Sequence, residues 1–383
     1  MNNQKWLSLN FFAFFFTWGV FLPYWTAWLT NEKELSVSSA SLILGAGMVA
    51  RALSTLLFFP LLTRIMSLRR LMQLLAIASV AILALYIPAN SYFMLFAITF
   101  AFNMVYPNIL PGMESGATVL MQMEGIHYGK SRSYGSLGYT IALLIVGGAT
   151  ALWQESAILW VMLAGLAFMA VSLSATSPPP LRIKPKPRNP DGEAATAQLL
   201  KSKSFLTLLA VATLLQGAHA AYYSYGFLYL QDVGVNSFYI GLILNIAILF
   251  EILFFAKADT LFKSWPVSSM LLLAGAGSTL RWILIFLFPS VWVFIFSQAL
   301  HALSFGAAHF AFIQYIFQKL APSQIPAAQG MYAAIAMSLS VAFLTVAGGF
   351  LYEISPGLSF LGMASFSLPA IIAVLLTRKK FYY

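Results

Sequence analysis

Residues 238–257 read FYIGLILNIAILFEILFFAK. A helix needs about 20 mostly apolar residues to cross the hydrocarbon core of a bilayer, and between Gly241 and Lys257 only Asn245 and Glu251 interrupt this run. The segment is not isolated. Of the 383 residues 60% are hydrophobic and 8% charged, and the mean hydropathy is +0.83, a balance that suits lipid and not water as the solvent. No sustained alternation of polar and apolar positions appears, so the spans are expected to be helices and not barrel strands.

Working outward from this span, apolar windows recur at 6–29, 39–62, 71–89, 91–113, 134–153 and 157–175, and again at 204–230, 267–288, 291–317, 327–350 and 358–377. The expected fold is therefore an all-α membrane protein with twelve transmembrane helices in two six-helix bundles, residues 1–176 and 204–383. Between them, 177–203 holds Pro178, Pro179, Pro180, Arg182, Lys184, Lys186 and Arg188. That composition reads as an extended basic linker on the cytoplasmic side. With the N-terminus inside, Lys5, Arg64, Arg69, Arg70, Lys130, Arg132, Lys257, Lys263, Lys319 and Arg378 to Lys380 share the linker's side, and Lys33 alone falls opposite. The positive-inside rule then sets both termini in the cytoplasm.

The formal charge of +10 comes from these scattered clusters and forms no basic face for nucleic acid. Absence of cysteine removes disulfide and thiolate chemistry. With no His-Glu-x-x-His run, phosphate loop or nucleophile elbow, neither a metal, a cofactor nor an enzyme activity is expected. The first span is too long for a signal peptide and is expected to remain.

An ion at the centre of a bilayer costs about 2.5–3.5 kcal/mol on insertion scales, so it requires a partner or a water-filled cavity. Arg51, Glu251 and Arg281 lie near the middles of spans 2, 8 and 9. They mark a solute or proton path, or else ion pairs that lock helices together. Span 4 carries Asn103 and Glu114 eleven residues apart, on one face, around Pro107 and Pro111. Those prolines free backbone carbonyls, which suits a cavity wall. Gln216, His219 and Tyr223 form a stripe on span 7, and Gln298, His301 and His309 an arc on span 10. Histidine can carry protons near neutral pH, although a neutral hydrogen-bonding role serves equally well. Phe14, Phe21 and Trp28, with Asn10 and Thr17, give span 1 an aromatic stripe suited to stacking a ring or to plain packing.

The two halves echo each other weakly: Arg51 follows Trp28 by 23 residues and Glu251 follows Tyr229 by 22. Parallel repeats of this kind hold a solute near the midplane. The chain resembles the major facilitator superfamily, and within it the phenylpropionate permease branch related to lactose permease and other sugar–proton symporters. The resemblance rests on FLPYWTAWL at 21–29, LGAGMVAR at 44–51, YGKSRSYGS at 128–136 and LLQGAHAAYY at 214–223. It implies that Glu114 and Arg132 bind substrate together, and that Glu251, Arg281 and one of His301 or His309 handle the proton. The loop between spans 2 and 3 departs from the superfamily pattern, keeping Arg64, Arg69 and Arg70 without its aspartate and glycine. The Gly-Pro pair of drug antiporters is missing at Val146-Gly147-Gly148, which favours symport.

The resulting expectation is a monomeric proton symporter of a bacterial inner membrane that imports a small aromatic carboxylate. Arg51, Asn103, Glu114, Arg132, Gln216 and Tyr223 are its candidate substrate ligands, and His219, Glu251, Arg281, His301 and His309 its candidate proton groups. A sugar or nucleoside symporter of the same fold is the alternative, and a receptor or membrane enzyme a remoter one.

Overall fold

The computed structural model describes residues 2–175, 178–183, 191–321 and 323–381. Eleven helices among the described residues are long and apolar enough to cross a membrane: α1 (Asn3–Glu32), α2 (Val37–Ile65), α4 (Tyr92–Glu124), α5 (Tyr128–Trp153), α6 (Ser156–Ser174), α7 (Lys203–Asp232), α8 (Ser237–Leu261), α9 (Val267–Leu287), α10 (Val291–Lys319), α11 (Ile325–Ile354) and α12 (Pro356–Phe381). The expected third span is α3 (Leu68–Ala84), shorter at 17 residues. At 1.5 Å per residue it still reaches about 25 Å. Side chains such as Phe93, Leu152, Val171, Leu253, Phe343 and Leu376 are exposed. In lipid such a surface needs no partner.

Serine side chains cap several of these helices: Ser67, Ser91, Ser202 and Ser290 each accept a backbone N–H of the first turn. Gly125 ends α4 in the left-handed region at φ 62°, where a Cβ would be strained. Among the described residues four helices contain wide π turns, at Trp28–Glu32, Ser54–Phe58, Ala302–Ala307 and Tyr332–Leu339. Helix α4 tightens to a 3-10 turn over Tyr106–Asn108 beside Pro107, and α7 breaks at Ala218 and His219.

The chain divides into two compact units. Unit 1 comprises Met1–Ser36, Ala46–Arg188 and Asn236–Leu242; unit 2 comprises Val37–Gly45, Asn189–Val235 and Ile243–Tyr383. In unit 1, α1 lies along α5. The approach is close: a Cβ on Gly138 would stand 2.3 Å from the carbonyl oxygen of Phe12. In unit 2, α9 packs on α12, and Leu208, Met270, Phe312 and Val374 belong to one buried apolar core.

The segment read as an extended linker contains a helix, Asp191–Lys201. Its Leu199 is fully buried in the core of unit 2. Ahead of it, Pro179–Arg182 forms a 3-10 turn whose buried Leu181 lies in reach of Gly116. Two leucines are enough to dock a segment that its average composition describes as unstructured; Lys184 to Pro190 lie outside the described residues.

Candidate functional site

In unit 2, α9 delivers Arg281 to a wholly buried position between the rings of Tyr222 and Trp282, at 4.3 and 4.5 Å. Its Nη2 donates to Oε1 of Gln298 at 2.8 Å, and Gln298 Nε2 donates to the carbonyl of Ile243 at 3.3 Å. Its Nη1 lies 2.9 Å from Nδ1 of His301. A guanidinium has only donors, so Nδ1 must accept, and the ring proton of His301 resides on Nε2. That nitrogen faces Oε2 of Glu251 at 3.5 Å. The row Ile243, Gln298, Arg281, His301, Glu251 thus starts and ends on α8, about two turns apart.

The other unit 2 candidates join a second set of contacts. His219 sits at the break in α7 and is buried; its Nδ1 lies 3.0 Å from the Leu215 carbonyl and its Nε2 3.0 Å from Ser304 Oγ. A carbonyl only accepts, so Nδ1 carries the hydrogen. Tyr223 stacks on His219 with centroids 6.0 Å apart. Gln216 donates to the Tyr332 hydroxyl at 2.7 Å, and His309 Nδ1 meets the same hydroxyl at 3.1 Å. Geometry therefore separates the two histidines of α10: His301 contacts Arg281 and Glu251, whereas His309 contacts Tyr332. The π turn that begins at Ala302 lies between them. Wide turns of this kind recur at functional sites.

Unit 1 holds Arg51 half-buried with its guanidinium carbon 4.8 Å from the ring of Trp18. Among the described residues Arg51 forms no hydrogen bond and no ion pair. Trp18 belongs to an aromatic group with Phe14, Phe21 and Tyr106, and the Tyr106 hydroxyl is 2.8 Å from Thr17 Oγ1. Arg132 Nε lies 3.8 Å from Glu114 Oε1, with the guanidinium 4.0 Å over Phe15. Asn103 is buried, donates to the Thr99 carbonyl at 2.9 Å, and packs on Gly47, where a Cβ would stand 2.7 Å from its Nδ2. These contacts occupy its amide within a helix-to-helix approach.

The expected aromatic stripe of span 1 packs inward. Phe14, Phe21 and Trp28 are buried, and Asn10 donates to the Trp6 carbonyl and accepts from Ser172. The ring that meets the cation is Trp18, one turn on from Phe14, a position that the seven-residue spacing passes over. Ser304 and Tyr332 carry no signal of these contacts in the residue pattern. The arc of span 10 was the one visible signal for Gln298, since it shares that arc with His301.

The family described as the MFS_1 like family matches residues 5–361. A probable 3-phenylpropionic acid transporter of Escherichia coli (strain K12) is 29% identical over 371 residues, covering 97% of both chains. A maltose permease of Geobacillus stearothermophilus is 28% identical over 384 residues, covering 97% of this chain and 94% of its own. Among solved structures, the nucleoside transporter NupG superposes with a TM-score of 0.84 over all of both chains at 14% identity. A peptide transporter bound to alafosfalin gives 0.78 at 13% identity, over 97% of this chain and 93% of its own. Those two share the fold. The match across nearly the whole chain makes this protein a member of the MFS_1 like family, a membrane transporter of the major facilitator type and not an enzyme.

Proposed function

We propose that the protein is a proton-coupled symporter that imports a small organic carboxylate, an aromatic acid such as 3-phenylpropionate, across a bacterial inner membrane. It works as a monomer by alternating access of the bundles 1–176 and 204–383, with 177–203 and both termini cytoplasmic. The observation that carries the substrate reading is Arg51, a half-buried guanidinium on an indole face with no carboxylate partner among the described residues. A guanidinium holds a carboxylate through two parallel hydrogen bonds, a geometry that lysine cannot reproduce. The rings beside it suit a phenyl group, adding about 0.5–1.5 kcal/mol from ring contact. The Escherichia coli relative, a probable 3-phenylpropionic acid transporter, points the same way.

Coupling rests on Glu251 as the proton carrier, with His301 and Arg281 as its partners. Because Nδ1 of His301 accepts from Arg281, a second ring proton there would set donor against donor. Full protonation of His301 and its bond to Arg281 are mutually exclusive. Protonation of His301 at Nδ1 therefore releases Nη1 of Arg281, while the Nε2–H of the imidazolium stays directed at the Glu251 carboxylate. Glu114 with Arg132, and the Gln216, Tyr332 and His309 chain, supply further polar contacts to the solute.

The test uses vesicles holding the purified protein and labelled 3-phenylpropionate under an imposed pH gradient. Wild type should accumulate the acid. Glu251→Gln should lose accumulation and retain counterflow, since exchange needs no net proton movement. Accumulation at wild-type level in that variant would remove Glu251 from the mechanism. Transport of maltose or a nucleoside in place of the acid would favour the alternative reading, for which the maltose permease relative speaks.

A further inference from the structure

Unit 2 contains a surface cavity of about 740 Å³ that the transport reading does not use. Its lining comes from three helix ends: Val267 and Ser268 from the start of α9, Lys319 from the end of α10, and Arg378 and Lys379 from the last turn of α12. Successive spans run in opposite directions, so these three ends emerge at one face of the bilayer. Among the described residues no carboxylate lines the cavity. Among the described residues none of its three cations forms an ion pair or a hydrogen bond. Pro266 at the N-cap offers no side-chain acceptor to the first turn of α9, while Val267 and Ser268 are buried.

We propose that this cavity binds a phosphate-bearing anion, presented by the headgroup of an anionic phospholipid. Three unpaired cations converging on one concave site give a place where a single doubly liganded phosphate relieves their mutual repulsion. Its size falls within the range of small-ligand sites, about 300–1,000 Å³. The apolar surroundings favour a lipid as the carrier. Phe317 precedes Lys319 and is 64% exposed, Leu376 precedes Arg378 and is 75% exposed, and Trp265 is exposed just ahead of α9. A headgroup in the cavity would let its acyl chains run along these side chains. Basic pockets between membrane helices bind anionic headgroups for the same reason.

The test compares full-length wild type with Lys319→Gln/Arg378→Gln/Lys379→Gln in two arms. In the first, native mass spectrometry counts phosphatidylglycerol against phosphatidylcholine retained from mixed micelles. In the second, thermal stability is followed against inorganic phosphate without lipid. Wild type should retain phosphatidylglycerol preferentially, with about a fivefold loss of retention for each cation neutralised. The charge-conserving set Lys319→Arg/Arg378→Lys/Lys379→Arg should keep most of it. A stabilisation by inorganic phosphate that the neutral variant loses also supports the site and names free phosphate as its source. If the neutral triple variant does not fold, Arg378→Gln alone carries the comparison. Equal behaviour of wild type and the neutral variant in both arms overturns the proposal.

Discussion

Arg51 in unit 1 and Arg281 in unit 2 are both arginines near the middle of a membrane helix, and their surroundings differ in kind. Arg281 is fully enclosed, with two rings on its faces and acceptors on both terminal nitrogens. Arg51 has one ring and, among the described residues, no acceptor. A buried charge whose partners are built into the protein is a structural commitment, and removing it strands those partners. A half-buried charge without built-in partners is open to one from elsewhere. The same residue type is therefore enclosed by built-in partners in one unit and, on the present proposal, serves recognition in the other.

The comparison can be broken most directly by stability. Arg281→Ala should destabilise the purified protein by about 2–6 kcal/mol, because it leaves two buried acceptors, His301 Nδ1 and Gln298 Oε1, without their donor. Arg51→Ala should cost under about 1 kcal/mol. Thermal or denaturant unfolding in detergent measures both, and equal losses would erase the distinction. The next largest effect lies in binding. Arg51→Lys should weaken the carboxylate substrate by about tenfold or more, or about 1.4 kcal/mol, in an equilibrium binding assay. Arg132→Lys should weaken it less, because Glu114 already engages that guanidinium. A wild-type affinity in the Arg51 variant would return Arg51 to a purely structural role.

Two smaller effects sharpen the picture. Gln298→Ala should lower stability by about 1 kcal/mol through loss of the bond that Arg281 makes to it. Its pH profile for uptake should shift as well, since Arg281 would then be held by His301 alone; an unchanged profile would separate Gln298 from coupling. Trp18→Leu should weaken substrate binding by about 0.5–1 kcal/mol, the size of a cation–π contact at a partly open site. Trp18→Phe should recover part of that loss. No difference between Leu and Phe would mean that the indole face contributes only bulk.

Much of the site was visible as a set of anomalies. Arg51, Glu251 and Arg281 stood out because charges within apolar runs are costly, and that cost is a property of sequence alone. Which of them are partnered was not visible, because partners come from other helices. The arc holding both His301 and His309 could not say which one meets Arg281, and the π turn from Ala302, which no residue pattern announces, lies between them. A stripe counted from Phe14 at seven-residue steps passes Trp18 by, and its contact with Arg51 depends on where α2 lies.

What the sequence determined by itself is the membrane character, the number and order of the spans and the family, because hydrophobic length and composition decide whether a segment enters lipid irrespective of its neighbours. Tertiary structure alone decided that 191–201 docks as a helix through Leu199, that Asn103 closes on Gly47, and that both terminal nitrogens of Arg281 meet acceptors while Arg51 meets none among the described residues. Each of these depends on distances of a few ångströms between residues far apart in the chain, and in lipid, where apolar surface drives no association between helices, close packing and polar contacts set those distances.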